Sequence, residues 1–500
     1  MQLVDLHKKL DTTQQAFFRH RRIGPDRTLL TNLEGNWIVL SDAEMRAFAT
    51  GQLEEGTGLY ERLSDKNFLR ATWNQDAARE ALAKRRRFLG YGPNLHIFVV
   101  TLRCNETCVY CHASRADMDA VDTDMSRETA EKGVDLAFSS TSPGITIEFQ
   151  GGEPLVNFDI VKHIIEYATE KNETAKKALD FTMVSNMALM TDEKLDYLLE
   201  HKVQLCTSID GPKELHDKQR ILKTYSAYDA ATQWIKTINE AYIAKGLDPA
   251  LYHVEALLTT TKAALSRPKE IVDTYAELGC RALFLRPLDP FGFAGKTAKM
   301  VEYPRQAYLD FYAEATDYIL ELNASGTQMI ERFGAIFLTK ILQGEDPNFL
   351  DIRSPAGAGI GQLAYSYDGS IYSCDEGRML AAQGDQTFRL GHVASSSYRE
   401  IVGHPTVRAM VIASNLDTQP DCVACTYNPY CGIQTTHNHK TQGSIFGRMR
   451  ESNICAVHKG IQDYLFNKLA EGEPSAMEAF RRWTTTRPRE HFLYDGVGQE

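Results

Sequence analysis

Three cysteines on one short loop carry the strongest chemical signal in this sequence. Cys104, Cys108 and Cys111 form a CxxxCxxC pattern directly after the strand-like segment Leu95–Thr101. A cubane iron–sulfur cluster contains four irons, and protein thiolates normally hold all of them. Three thiolates leave one iron free, and a free iron can chelate a substrate or a cofactor. The pattern therefore predicts a [4Fe-4S] cluster with one open iron.

Zinc and disulfides are the competing interpretations of this loop. A closed zinc site needs four nitrogen or sulfur ligands, and His112 is poorly placed as the fourth because it adjoins Cys111. The N-terminal run has no apolar signal core, which speaks against an exported, disulfide-bonded protein. No apolar run could span a bilayer, and the net charge is −11. We therefore expect a cytoplasmic protein that binds neither membranes nor nucleic acid.

The cysteine loop resembles that of the radical S-adenosylmethionine (SAM) enzymes, including the aromatic Tyr110 just before the third cysteine. This resemblance implies that the three thiolates hold the [4Fe-4S] cluster, with Tyr110 on the cofactor side. It also implies that the free iron binds the amino and carboxylate groups of SAM. An electron from the cluster would then split SAM to a radical, which takes a hydrogen atom from the substrate.

The elements that must position this loop alternate between strand and helix patterns over residues 94–287, which predicts parallel βα units. Six such units fit the α/β fold class, as the partial (β/α)6 barrel of the radical SAM family. Active groups in such barrels lie at the carboxyl ends of the strands. The candidate strands are Leu95–Thr101, Ile145–Gln150, Phe181–Ser185, Val203–Ile209, Val254–Thr260 and Ala282–Arg286.

Paired glycines follow the second candidate strand. Gly151 and Gly152 would let the backbone approach a ligand closely, and Glu153 adds a carboxylate that can hold an ammonium group. The run resembles the GGE motif of radical SAM enzymes, which meets the SAM amino group.

Polar residues also follow later strands. The run from Ser208 to Arg220 resembles the S-x-D-G-P…H-D…R pattern of peptide-modifying members, in which Ser208 and Arg220 would engage SAM. A guanidinium suits the SAM carboxylate, whereas Asp210 alone is equally consistent with a plain turn. The remaining cofactor-binding candidates at these strand ends are Ser185, Asn186, Asp210 and Arg286.

A second group of cysteines, which we call the auxiliary cysteine group, consists of Cys422, Cys425, Cys431 and Cys455. Four thiolates suffice for a complete auxiliary [4Fe-4S] cluster, although a structural zinc site is the competitor. The spacing resembles the auxiliary-cluster extension called SPASM. The chain departs from that pattern because Thr435 stands where a cysteine is expected. Only Cys374 remains as a recognisable ligand of a further cluster, which we therefore expect to be absent.

Asp375 directly follows Cys374. In peptide-oxidising relatives an aspartate at this position acts as a base, and a proton must leave as a radical product is oxidised. The resemblance thus implies a catalytic role for Asp375, with substrate binding or a solvated turn as the alternatives.

The patterns predict five segments. These are a winged-helix-like, peptide-recognition module (1–90), the radical SAM core (91–310), a helical linker (311–350), a SPASM-like domain (351–465) and a helical tail (466–500).

Segments such as Phe284–Gly292 resemble the maturase of the His-Xaa-Ser peptide system. This resemblance implies that the protein modifies a ribosomally made precursor peptide, for example by installing a cross-link. The partners would be that peptide, a flavodoxin or ferredoxin reductant, and a second radical SAM maturase. The alternatives are formylglycine-type maturation of a sulfatase and, from a different class, a non-catalytic iron–sulfur electron carrier.

Overall fold

The computed structural model describes residues 13–249 and 252–485. The first residues of the predicted N-terminal module (1–12) and the end of the predicted helical tail (486–500) lie outside the described residues. The strands are, in chain order, β1 (Arg19–Gly24), β2 (Arg27–Thr31), β3 (Trp37–Leu40), β4 (Leu95–Val99), β5 (Glu106–Cys108), β6 (Gly144–Gln150), β7 (Ala178–Val184), β8 (Gln204–Ser208), β9 (Arg220–Leu222), β10 (Glu255–Thr259), β11 (Ala282–Arg286), β12 (Ile330–Glu331), β13 (Gln362–Tyr365), β14 (Ser370–Tyr372) and β15 (Arg389–His392). The α-helices are Asp42–Ala49, Gly58–Asp65, Gln75–Arg85, Arg127–Phe138, Phe158–Ala175, Asp192–Glu200, Lys213–Gln219, Ala227–Ala244, Pro268–Glu277, Ala298–Val301, Arg305–Ala324, Arg332–Leu338, Asp375–Ala381, Tyr398–Val402, Pro405–Ser414, Pro420–Val423, Thr435–Gln442, Asn453–Glu471 and Pro474–Trp483.

One large sheet positions the candidate site. Its order is β12-β11-β10-β8-β7-β6-β4-β13-β14-β15, and the six strands from β11 to β4 are parallel to their neighbours. These six are the strands that the sequence predicts, and helices connect them. The α/β prediction of a partial (β/α)6 barrel is therefore confirmed.

The alternation of side chains along β6 shows why the barrel has an apolar outer layer and a polar interior. Ile145, Ile147 and Phe149 are buried in the core cluster shared with the surrounding helices. Because neighbouring side chains point to opposite faces of a strand, Glu148 and Gln150 face inward, where they line the central cavity.

The sheet extends beyond the predicted core at both ends. At one end, β12 pairs in parallel with β11, although it lies within the predicted linker. At the other end, β13 of the predicted SPASM-like domain pairs in parallel with β4. The predicted start of the linker, residue 311, lies inside the helix Arg305–Ala324. Tertiary pairing at the sheet edges sets these boundaries, and local sequence patterns do not report it.

The N-terminal module is an antiparallel sheet, β1-β2-β3, followed by helices. It has a core of its own that includes Leu30, Leu40 and Phe48. The module packs beside the auxiliary cysteine group, since Thr31 Oγ1 donates to the Thr426 carbonyl at 2.7 Å. Its role in peptide recognition stays a prediction.

Among the described residues, no helix is both long and apolar enough to cross a bilayer.

Candidate active site

The three N-terminal cysteines lie on one irregular segment, residues 102–112, which we call the cluster loop. Within it, β5 pairs antiparallel with β9, which places Cys108 opposite Arg220. The far end of the loop is held by the segment after β11, because the Phe293 amide donates to the Cys111 carbonyl at 2.7 Å. The ten cysteines, all in the described part of the chain, form no disulfide with one another. The loop is therefore fixed by backbone contacts to two different strand ends.

A buried ion pair between Asp210 and Arg220 contacts the cluster loop. Asp210 is fully buried, and its carboxylate accepts hydrogen bonds from Tyr110 Oη at 2.5 Å and from Arg220 Nε at 3.1 Å. Arg220 Nη1 lies 3.8 Å from Cys108 Sγ and 3.8 Å from a carboxylate oxygen of Glu106. The arrangement holds Tyr110, Arg220 and Cys108 together. The SAM contacts predicted for these residues and for Asp210 stay predictions.

Glu153 organises the ends of β6 and β7. Its carboxylate accepts hydrogen bonds from Ser185 Oγ at 2.8 Å, from the Asn186 amide at 2.7 Å and from the Leu155 amide at 3.0 Å. Asn186 Nδ2 in turn donates to Asn105 of the cluster loop at 2.9 Å and lies 3.9 Å from Cys104 Sγ. Burial raises the pKa of Glu153. Glu153 thus fixes the loop that carries Asn186.

Gly151 and Gly152 approach the backbone of residues 101–103, at the start of the cluster loop. The close approach to a ligand that the sequence predicts stays a prediction. Gly151 has φ +155°, and a Cβ there would lie 2.2 Å from the Thr101 carbonyl oxygen. A Cβ on Gly152 would lie 2.3 Å from the Leu102 carbonyl oxygen. The Gly152 amide donates to the Thr101 carbonyl at 2.8 Å. The pair therefore lets two backbone segments lie in direct contact.

A cavity of about 640 Å³ occupies the barrel interior between the cluster loop and the C-terminal region. His112 of the cluster loop lines one side, and Asp375 and Glu376 line another. Arg286, at the end of β11, also lines the cavity and lies 3.6 Å from Asp289. Ser208, at the end of β8, is half-buried. This volume lies within the range of small-molecule and cofactor sites.

Carboxyl groups dominate the C-terminal side of this cavity. Asp375 is buried and accepts a hydrogen bond from Arg378 Nε at 2.7 Å. Arg378 Nη1 also donates to the Ala113 carbonyl, just beyond the cluster loop, at 3.1 Å. Burial and the neighbouring Asp351 and Asp375 raise the pKa of Glu376 to about 8. Burial thus favours the protonated form of Glu376, next to the ion-paired Asp375.

The structure brings the auxiliary cysteine group together. Cys422, Cys425, Cys431 and Cys455 line one small pocket with apolar walls that include Ile433 and Met449. Cys374 lies elsewhere, and its buried sulfur accepts a hydrogen bond from Ser373 Oγ at 3.7 Å.

Both cysteine groups fit a thiolate-bound cluster. In the cluster loop, the sulfurs of Cys104 and Cys108 each face a side-chain N–H donor, which suits a thiolate. Burial raises the pKa of both thiols, so deprotonation would have to be coupled to metal binding. No group of three or more His, Cys, Asp or Glu side chains in the described parts of the chain could hold a metal ion. That finding concerns single ions, whereas a cubane distributes its ligands over four irons.

Sequence reasoning missed several residues of the site. Glu106 lies between two cysteines of the motif, and burial raises its pKa to about 7. Gly292 has φ +60°, and a Cβ there would lie 2.3 Å from the Cys111 carbonyl oxygen. The available signals were a carboxylate inside a cysteine motif and a glycine following a barrel strand.

Comparisons with known proteins find similarity to one superfamily over part of the chain. Residues 98–252 match the Radical SAM superfamily. A cysteine-type anaerobic sulfatase-maturating enzyme of Clostridium perfringens is 24% identical over 380 residues, which are 73% of this chain and 94% of that enzyme. An uncharacterised protein of Methanocaldococcus jannaschii is 26% identical over 263 residues, covering 50% of this chain and 85% of that protein.

Solved structures share the fold. The structure titled native anSMEcpe with bound AdoMet aligns with a TM-score of 0.62 at 19% identity, covering 75% of this chain and 98% of that one. Streptococcus suis SuiB bound to precursor peptide SuiA aligns with a TM-score of 0.50 at 16% identity, covering 89% and 99%. The superfamily uses a [4Fe-4S] cluster and SAM, as the cysteine loop predicts. The chain therefore contains a radical SAM domain, matched over residues 98–252.

Proposed function

We propose that this chain is a radical SAM maturase that oxidatively modifies a ribosomally made precursor peptide. The observation that carries the proposal is the cavity of about 640 Å³. It joins the cluster loop, through His112, to the carboxyl groups of Asp375 and Glu376. A hydrogen-abstracting centre and a proton acceptor are the two parts that such an oxidation needs.

The chain's own residues supply binding, positioning and proton transfer. Cys104, Cys108 and Cys111 would hold the [4Fe-4S] cluster, and SAM bound there supplies the hydrogen-abstracting radical. Asp375 would accept the proton that leaves the substrate. Arg378 orients Asp375 and links it to the end of the cluster loop through the Ala113 carbonyl.

The auxiliary cysteine group would hold a second [4Fe-4S] cluster, for which four converging thiols are sufficient. The proposal includes three partners: a peptide of the His-Xaa-Ser type, a flavodoxin or ferredoxin reductant, and a second radical SAM maturase. The fold similarity to SuiB, solved with its precursor peptide, supports a peptide substrate.

Sulfatase maturation is the second candidate, and two observations favour it. The C. perfringens sulfatase-maturating enzyme matches 73% of this chain, and the anSMEcpe structure has a TM-score of 0.62. The two candidates differ in substrate, so a His-Xaa-Ser repeat peptide and a sulfatase-derived peptide distinguish them.

The test of the proposed function is SAM cleavage by the anaerobically reconstituted full chain. We expect dithionite-dependent release of 5′-deoxyadenosine, and mass loss from one peptide but not the other. Replacing Cys104, Cys108 and Cys111 with Ala should abolish release and lower iron from about eight to about four per chain. Intact clusters without 5′-deoxyadenosine would instead favour an electron carrier.

Asp375 can be tested separately from SAM cleavage. The Asp375→Asn variant keeps the side-chain shape but cannot accept a proton. It should therefore release 5′-deoxyadenosine as the parent does and form at least tenfold less peptide product. Asp385→Asn is the matched control, because Asp385 is also hydrogen-bonded to a side chain, that of His439, but lies outside the cavity lining. Equal product from parent and Asp375→Asn would exclude Asp375 as the base.

A further inference from the structure

We propose that Lys340 and His458 set the reduction potential of the cluster at the auxiliary cysteine group. The inference depends on the part of the proposed function that places an iron–sulfur cluster there. It assigns a role to two buried side chains whose polar groups point at one ligand, Cys431. Neither residue belongs to a cysteine motif.

His458 contacts the ligand sulfur itself. Its Nδ1 lies 3.7 Å from Cys431 Sγ, and the side chain is 3% exposed. The rings of Phe333 and Phe337 pack edge-on against the imidazole, which fixes its orientation. A thiolate can only accept a hydrogen bond, so the imidazole must be the donor once Cys431 is coordinated.

Lys340 places its amino group beside the same ligand; burial lowers its pKa to about 7, and the negative charge of a bound cluster would favour the protonated, cationic form. Its Nζ donates to the Cys431 carbonyl at 3.2 Å and to the Ile352 carbonyl, and the residue is 8% exposed. Both acceptors are backbone carbonyls, which carry no full charge. Lys340 lies on a π-helical turn, Thr339–Gln343, which continues the helix Arg332–Leu338. Such turns frequently occur at functional sites.

The effect of these two groups follows from charge. A cluster with four thiolate ligands is anionic, and reduction adds one more negative charge. A buried cation and an N–H donor stabilise the reduced form more than the oxidised form, because hydrogen bonds to sulfur and net charge set cluster potentials. Lys340 and His458 should therefore raise the potential and make the cluster a better electron acceptor.

The position of the ligand suits such a role. Gly432 follows Cys431, and a Cβ on it would lie 2.7 Å from the Asp351 carbonyl oxygen. The Asp351 side chain lines the barrel cavity. Asp351 thus lies between the segment that carries Cys431 and Gly432 and the cavity in which the substrate would be oxidised.

The experiment measures the midpoint potential by an EPR-monitored titration. The background is the full chain with Cys104, Cys108 and Cys111 replaced by Ala, so that only the auxiliary cluster contributes. Lys340→Gln keeps a side-chain donor but removes the charge, and His458→Leu removes the donor. We expect each variant to lower the potential by at least about 59 mV, which is a tenfold shift of a one-electron equilibrium.

Two matched controls separate this effect from a general loss of packing. Lys177 Nζ also donates to two backbone carbonyls, those of Ser140 and Ser142, and His96 is also a fully buried imidazole. Lys177→Gln and His96→Leu should leave the potential unchanged.

Three results would overturn the inference. These are an unchanged potential in iron-loaded Lys340→Gln and His458→Leu, an equal fall in the controls, and zinc without iron in the parent. If one of these two variants does not bind iron, the midpoint potential of the other variant tests the inference. SAM cleavage by the chain with an intact cluster loop is measured independently, so a failure here is distinguishable from a failure of the proposed function.

Discussion

Gly152 provides a direct test of how the cluster loop is held. A Cβ at this position would lie 2.3 Å from the Leu102 carbonyl oxygen and 2.4 Å from that of Arg103, whereas ordinary contacts begin at 3.4 Å. Both atoms are backbone, so Gly152→Ala must displace the cluster loop by roughly 1 Å. Overpacking of this kind costs about 1–3 kcal/mol. A displacement of this size at a catalytic loop reduces rates about 100-fold.

The expected result is a folded protein with an impaired N-terminal cluster. Gly152→Ala should lose up to about four of about eight irons per chain. Its release of 5′-deoxyadenosine should fall about 100-fold, while the far-UV circular dichroism spectrum is retained. Gly58→Ala is the control, because no atom lies within 4 Å of its added Cβ. It should match the parent in iron and in SAM cleavage.

The reasoning fails if Gly152→Ala retains both iron and SAM cleavage. In that case the cluster loop tolerates a shift against β6, and the glycine pair is not required for backbone contact. Loss of SAM cleavage with full iron would instead support the close approach to a ligand that the sequence predicted.

Two further predictions concern buried charges. Asp210→Asn removes the carboxylate that accepts a hydrogen bond from the buried Arg220, whose other carboxylate neighbour, Glu106, lies 3.8 Å away, and should lower the free energy of unfolding by about 3–5 kcal/mol. Asp229→Asn, in an exposed pair with Lys213, should leave the free energy of unfolding in urea nearly unchanged. Burial lowers the pKa of His96 from 6.5 to about 4, so the stability it contributes is complete above pH 6.5 and is lost as the pH falls towards 4, by on the order of 3 kcal/mol. His96→Leu should therefore lose less stability than the parent over that pH range. If the free energy of unfolding fell equally with pH in both proteins, His96 would not be the source of the loss.

The sequence was sufficient to predict the central barrel, because the signals for its strands and helices are local. The strand β11 has the predicted bounds Ala282–Arg286. Ser126 and Thr191 cap helices, each accepting a hydrogen bond from a backbone amide of the first turn. Apolar periodicity and capping residues act over a few positions, so they are legible without the tertiary structure.

The sequence could not predict contacts that depend on the assembled fold. The contact between Arg220 and Cys108 joins residues 112 positions apart through the β5–β9 pairing. His437 shows the same limit, since exposure is the common state of a polar histidine. In the structure it is buried, with Nδ1 3.6 Å from Asp289. Only the packing of distant segments determines which polar residues become buried partners.

The C-terminal region is built into the barrel rather than attached to it. The strand β13 adds to the central sheet beside β4, which leads into the cluster loop. The segment Leu350–Ile352 reaches both centres, because Asp351 lines the cavity while the Ile352 carbonyl accepts from Lys340. A Cβ on Gly432, next to Cys431, would lie 2.5 Å from Ile352 Cα. A change at the auxiliary ligands must therefore be transmitted to the cavity wall, so substitutions at Gly432 should alter product formation as well as iron content.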